Sequence, residues 1–326
     1  MPRLLTFHAP DELAHLPAGA LPAFDPETIR RHGADEHLVL LDDDGAPSAR
    51  ASLWWREVPT LEGHRLGAIG HFAAANSVAA GALLLDVGGR LRQNGCNLAV
   101  GPLDGNTWRR YRWLTERGSE PPFLLEPDNP DAWPAYWETA GFMPLASYFS
   151  ALNSDLSYED PQVARAGDRL HKDGVRIRAL RVEEFEAELR RIYEVSVHSF
   201  GSNYLYTPLP EEAFVAQYAA IRERVRPELV LLAEQEGRPI GYVFNVPDWL
   251  RGPQTDTVIV KTLAVLPGRR CAGLGTWLLA RAQIVARELG YRRVIHALMH
   301  ESNNSLNLSA RYAKQFRRYT LYARAL

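Results

Sequence analysis

With 326 residues, 46% of them hydrophobic, the chain has the apolar mass for a large core, and its length points to two domains of about 150 residues each. Its 37 basic and 39 acidic residues leave a formal charge of -2, which excludes a global field that draws nucleic acid or an anionic membrane. The two cysteines, Cys96 and Cys271, exclude a disulfide framework and a cysteine zinc site, so no metal is expected.

No apolar run approaches the roughly 20 residues of a membrane span, and MPRLLTFHAPDELAHL carries no signal-peptide pattern, so a cytoplasmic protein is expected. Residues 37–55, HLVLLDDDGAPSARASLWW, predict a hairpin: an apolar strand, an acidic turn with glycine, a second strand. ALLLDVGGRLRQNG then reads as a helix stopped by Gly95, and CNLAVGPL as a strand. The long segment NTWRRYRWLTERGSEPPFLLEPDNPDAWP has the composition of a functional or interface loop. Within it WRRYRW, Trp108 to Trp113, interleaves aromatics and arginines as an RNA-binding surface does. The slightly negative charge favours an interdomain contact or a contact to an anionic substrate instead.

PQVARAGDRLHKDG, polar and punctuated by proline and glycine, reads as a linker or irregular crossing, with the domain boundary near residue 165: 1–165 and 166–326. FEAELRRIYEVSVHSF and EEAFVAQYAAIRERV follow as amphipathic helices. Then come a second hairpin (ELVLLAEQEGRPIGYVFNVPDW), the buried strand TVIVKTLAV, a glycine-rich turn, the helix WLLARAQIVARELG and the strand YRRVIHALMH. Aligning Leu83 and Leu84 on Leu278 and Leu279 also puts Gly95 on Gly290, so the order of elements repeats and a duplicated mixed α/β fold is expected. The copies differ: Arg270, Gly273 and Gly275 fall on Ala75, Val78 and Ala80, so the first half lacks the glycine turn.

That turn, VLPGRRCAGLGTWLL, joins a strand to a helix N-terminus, where backbone N–H groups and the helix dipole suit a pyrophosphate. A P-loop is excluded because no lysine precedes Thr276. A dinucleotide fingerprint stays open, with Leu278 at its third glycine and Glu301 as the acidic residue. Arg270, Cys271, Ala272, Gly273, Leu274 and Gly275 spell [QR]-x-x-G-x-[GA] after LAVLP, and in this the sequence resembles the acetyl-CoA-binding turn of the GCN5-related N-acetyltransferase (GNAT) superfamily. The resemblance covers residues 174–326, and residues 1–152 as a degenerate copy. It implies an α/β (α+β) fold of two tandem GNAT-like domains, each a mixed, mostly antiparallel sheet flanked by helices.

By the same resemblance, backbone N–H groups from Arg270 to Thr276 bind the CoA pyrophosphate, Leu263 and Val265 pair with pantetheine like an added strand, and Asn304 joins the cofactor site. The N–H of Val265 would polarise the thioester carbonyl, and Tyr312 would protonate the leaving thiolate. Anchoring the family pattern N-x-x-A-x-x-L-Y-x-x-x-G-F on Asn304 and Phe316 puts Arg311 at the tyrosine, one place before Tyr312. The family's glutamate base falls on Ile259, and His300, at the end of the next strand, is the candidate base. Lys261 and Thr262 are expected to line the same cleft, and Cys271 to contact phosphate rather than carry an acyl group. Phe200, Asn203 and Tyr206 border the acceptor. The expected activity is transfer of an acetyl group from acetyl-CoA to a primary amine of a small molecule or peptide, the first half completing the acceptor cleft or a homodimer interface. A non-catalytic acyl-CoA-binding scaffold and a nicotinamide enzyme are the alternatives.

Overall fold

The computed structural model describes residues 2–15, 21–23, 25–157, 160–219, 221–302 and 309–326. The first half runs through β1 (Arg3–Phe7), α1 (Pro26–His32), β2 (Glu36–Leu41), β3 (Pro47–Trp54), β4 (Leu66–Ala74), α2 (Ser77–Gln93), β5 (Leu98–Gly101), β6 (Trp113–Glu116), α3 (Trp133–Thr139) and β7 (Met143–Asn153). The second runs through α4 (Pro161–Lys172), β8 (Arg176–Ala179), α5 (Phe185–Phe200), α6 (Glu211–Ala219), β9 (Val230–Gln235), β10 (Arg238–Pro247), β11 (Thr257–Val265), α7 (Leu274–Glu288), β12 (Arg293–His300) and β13 (Lys314–Ala325).

Local chemistry accounts for the repeat. Both hairpins turn on acidic-glycine pairs: the Asp42 carboxylate accepts from the N–H groups of Asp44 and Ala46 before Gly45, and Glu236–Gly237 both take positive φ. Gly95 and Gly290 end α2 and α7 at φ 81° and 90°, the left-handed conformation that glycine adopts without penalty.

The strands form one sheet in the order β1-β2-β3-β4-β5-β13-β7-β12-β11-β10-β9-β8, with β6 added beside β13. Only β4–β5 and β11–β12 pair in parallel, each joined by a crossover helix, α2 or α7. The closing strands change places. β13 pairs with β5 and so completes the first half, while β7 pairs with β12 and completes the second. β7 and β13 pair with each other along most of their length, which makes the two halves one sheet.

Each face of the second half carries its own core, sorted by alternation along the strands. Tyr242, Phe244, Ile259 and Ile295 pack under α5 and α6 with Leu189, Ile192 and Phe214. Val243, Val258, Val260 and Val294 pack under α7 with Leu274, Leu278 and Ala282.

The expected linker over 161–174 is instead the helix α4, and the boundary expected near residue 165 falls inside it. Asp160 caps it by accepting from the Gln162 N–H, Pro161 occupies its first turn, and Val163, Gly167 and Leu170 are buried. The helix lies on α7 so closely that a Cβ on Gly167 would sit 2.6 Å from the Trp277 indole nitrogen.

The long first-half segment is an interdomain contact. Trp108 Nε1 donates to the Thr207 carbonyl at 2.7 Å, the Leu124 N–H donates to Asp248 at 2.8 Å, and Glu120 pairs with Arg293 at 2.7 Å. Glu126 is buried against Arg317 at 2.9 Å, and Tyr319 donates to it.

Candidate active site

β11 and β12 pair in parallel from Thr257–Arg293 to Val260–His296 and then part. Both strands are deformed at the parting. β11 slips a residue against β10 around Lys261, and β12 slips against β7 between His296 and Met299, where Leu298 takes φ 59°. The gap opens into a cleft of about 1030 Å³. Its walls are the parted strands, the α5–α6 loop, and the first-half residues Trp108 to Arg112 with Tyr148.

The cleft brings together Phe200, Asn203, Tyr206, Lys261, Thr262, Leu263 and His300 from the sequence expectations. Tyr204, Tyr218, Tyr148 and Arg112 also line it. Lys261 Nζ donates to the Tyr218 hydroxyl at 2.6 Å. Val265, the turn from Arg270 to Thr276, and Tyr312 are not among the lining residues. The turn lies at the start of α7: Gly268 has φ 130°, Arg269–Cys271 form a single 3-10 turn, and Gly273 has φ 83°. α7 is preceded by Gly273, which has no side chain to cap it, and most of the turn before it is exposed; within the turn the Cys271 and Ala272 N–H groups donate to the Gly268 and Arg269 carbonyls at 3.2 Å. By contrast α2 is closed by Asn76, whose side chain accepts from the Ala79 N–H at 2.9 Å.

Ser199 donates to the Val265 carbonyl at 2.9 Å and fixes the end of β11 beside α5. Tyr312 packs on the same apolar cluster as Cys271 and Trp277, on the α7 side. Burial pushes the Cys271 thiol up, away from thiolate, in keeping with a cysteine that carries no acyl group. Asn304 lies outside the described residues.

His300 stands between the rings of Tyr148 and Tyr204, 4.8 and 5.5 Å from them. Its Nδ1 accepts the Ser302 N–H at 3.1 Å and meets the Ser302 hydroxyl at 2.8 Å. These contacts assign the neutral ring's proton to Nε2, which is buried with no partner among the described residues. Burial, reinforced by the Arg112 charge, holds the imidazole below its ordinary pKa. His300 therefore presents a donor, and the lone pair a base needs is spent on Ser302.

Arg112 is the residue the sequence did not single out. It is 5% exposed, has φ 66°, and stacks its guanidinium on Tyr111 and Tyr148, 4.0 and 4.2 Å from the ring centres. One long bond from Nη1 reaches the Leu298 carbonyl at 3.4 Å, and Nε is buried without a partner among the described residues. The only signals in the sequence were the alternation of WRRYRW and the position of that run in an unusually long loop.

In the corresponding place of the first half, beyond the paired part of β4 and β5, a smaller cavity of about 330 Å³ is lined by His32, His71, Asp104, Phe72, Trp113 and Trp133. His71 (φ 48°) points inward, and its Nε2 meets His32 Nδ1 at 2.8 Å, with Asp104 accepting from the His71 N–H at 2.7 Å. Their ligand atoms lie within 4.8 Å of one another, the spacing of a possible metal site. The ring centres are 5.0 Å apart and the planes 20° from parallel. At 2.8 Å the two ring nitrogens form a hydrogen bond in which one ring donates and the other accepts, and His71 Nε2 lies 3.7 Å from Asp104 Oδ2.

Residues 189–312 match the Acetyltransferase (GNAT) family. No curated protein matches the chain by sequence. Among solved structures, a GCN5-related N-acetyltransferase from Sphaerobacter thermophilus is similar at 16% identity and TM-score 0.53, over 98% of this chain and 90% of that one. A tandem GNAT protein from the clavulanic acid biosynthesis pathway is similar at 12% identity and TM-score 0.51, over 100% of this chain and 98% of that one. The glucosamine N-acetyltransferase region of a fungal multi-domain GH3 beta-N-acetylglucosaminidase gives 13% identity and TM-score 0.57, over 99% of this chain but only 38% of that longer one. At these identities the likeness is one of fold. Residues 189–312 accordingly match the GNAT acetyltransferase family, in a chain whose fold is similar to that of a tandem GNAT protein.

Proposed function

We propose that the chain is an acyltransferase that moves an acetyl group from acetyl-CoA to a primary amine. The observation that carries this reading is the parting of β11 and β12 next to an uncapped, glycine-started helix. An exposed turn leading into the N–H groups of a helix N-terminus fits a pyrophosphate, and the parted strands fit a thioester arm. The bound cofactor supplies the activated acyl group.

The chain's own residues do the rest. Backbone N–H groups from Arg270 to Thr276 hold the phosphates, and Leu263 and Val265 align the arm. The Val265 N–H polarises the carbonyl. As the new C–N bond forms and the C–S bond breaks, Tyr312 gives the thiolate its proton, and the amine loses its proton to water. Phe200, Asn203 and Tyr206 shape the acceptor side. The first half, with α2 capped by Asn76 and a smaller cavity at His32, His71 and Asp104, is a degenerate copy that serves as a wall of the cleft.

Thiol release from acetyl-CoA, followed across a panel of primary amines, tests the reading. Release that depends on both amine and protein supports it. Tight CoA binding with no release for any amine would favour a non-catalytic acyl-CoA-binding scaffold.

A further inference from the structure

Three cationic side chains reach the cleft from first-half residues, Arg109, Arg110 and Arg112, and one from β11, Lys261. The acidic residues of the same wall are committed elsewhere: Glu126 to Arg317 and Tyr319, and Asp128 to Arg117. Arg109 is spent on the carbonyls of Arg31, His32 and Asp104. Lys261 is bonded to Tyr218, and Arg110 is exposed with its charge acting on Asp104. Arg112 is different. It is buried, it has no carboxylate partner among the described residues, and its Nε has no acceptor.

A buried guanidinium left without an anion is costly, and proteins keep one where a ligand completes it. Stacking on Tyr111 and Tyr148 holds the planar fork in place without neutralising it. Tyr148 also packs against His300, so one ring sets both the guanidinium and the Nε2–H donor in the same corner of the cleft. Both groups donate, and neither has an acceptor for its buried nitrogen among the described residues.

We propose that this corner is a carboxylate subsite: the acceptor is an amino acid or amino-acid-like compound whose carboxylate is bound by Arg112, assisted by His300 Nε2–H. The proposal rests on the acyltransferase reading and names the substrate class for it. One guanidinium and one neutral imidazole match a single negative charge, whereas a phosphate dianion calls for a second cation. Tyr148 packs with Tyr204 and Leu205 of the α5–α6 loop, whereas Leu274 and Leu278 at the start of α7 belong to a separate cluster. The carboxylate and the cofactor phosphates therefore occupy separate positions. The first half supplies Arg112, Tyr111 and Tyr148, which gives the degenerate copy a role in specificity.

The experiment follows thiol release from acetyl-CoA with matched probes: glycine, β-alanine and 4-aminobutyrate, each against its carboxamide, with 2-aminoethylphosphonate as the phosphonate counterpart of β-alanine. The same acids and amides are titrated calorimetrically onto the CoA-bound protein. The expected result is a preference for at least one acid over its amide on the order of 100-fold in kcat/KM or affinity, lost in Arg112→Gln and only partly kept in Arg112→Lys. A structural role for Arg112 would lower activity toward acid and amide alike, so the ratio separates the two. The wild-type ratio needs no variant to fold. Acetyl-CoA binding with no acid favoured over its amide overturns the subsite, and a preference for the phosphonate replaces the carboxylate with a phosphonate or phosphate. Absence of acetyl-CoA binding instead removes the acyltransferase reading beneath it.

Discussion

Arg112 and His296 show two ways this chain uses a buried polar side chain. Arg112 keeps its charge and leaves its buried Nε without a partner among the described residues, while His296 gives its charge up. His296 is 3% exposed, its Nδ1 bonded to the Ser309 hydroxyl at 2.8 Å and its Nε2 facing the Gln283 amide. Burial lowers its pKa from 6.5 to about 4. A folded-state pKa below the unfolded value gives stability that is fully present above pH 6.5 and is lost as pH falls toward 4. Between pH 7 and pH 5 the wild type should lose about 2 kcal/mol through this group, a loss absent from His296→Asn. Urea unfolding of both proteins at the two pH values measures the difference; equal losses would contradict it. Other buried histidines such as His37, also lowered to about 4, act on both proteins alike. At this scale the sequence was legible where chemistry is local. The Arg270 to Gly275 pattern sits in a contiguous turn, and Phe200, Asn203, Tyr206, Leu263 and His300 do meet in one cleft. The subsite at Arg112 was not legible, because its exposure and its lack of a carboxylate depend on Tyr148 and Leu298, far along the chain. Nor was the tautomer of His300, which a single backbone N–H decides.

At the scale of elements, periodicity and stop signals were enough for α2, α5 and α7 and for both hairpins, since glycine stops and alternating cores act within one segment. α4 escaped because its apolar positions are few, although Asp160–Pro161 is a cap followed by a first-turn proline. This helix braces the glycine turn before α7: the Arg169 guanidinium donates to the Ala272 carbonyl, and Ala166 Cβ lies 3.2 Å from where a Cβ on Gly273 would stand. Gly167 is the point of closest approach. Glycine to alanine within a helix ordinarily stabilises by roughly 1 kcal/mol. Here the new Cβ would meet the Trp277 ring at 2.6 Å, so Gly167→Ala should destabilise, by roughly 1–3 kcal/mol, through overpacking. Chemical denaturation reports the sign, and a gain in stability would show that α4 does not press on α7 as described.

On the scale of the whole molecule, duplication was readable because one register aligned two helices and their glycine stops. The exchange of β7 and β13 was not, because each strand carries an apolar pattern that suits either sheet. The exchange has a consequence for function. Tyr148 sits on β7, a first-half strand that pairs with β12, so the first half reaches the cleft through the sheet as well as through the Trp108–Arg112 loop. The turn before α7 is exposed, α2 is capped by Asn76, and the larger cleft is built from both halves. The most direct test of this account is calorimetric titration of acetyl-CoA onto the full chain and onto Gly273→Trp, with thermal melting to confirm that the variant is folded. The account predicts saturable, one-to-one binding by the wild type that the tryptophan abolishes, because at φ 83° beside Ala166 no indole fits without blocking the turn. Absence of binding to the wild type, or equal binding to a folded variant, would contradict it.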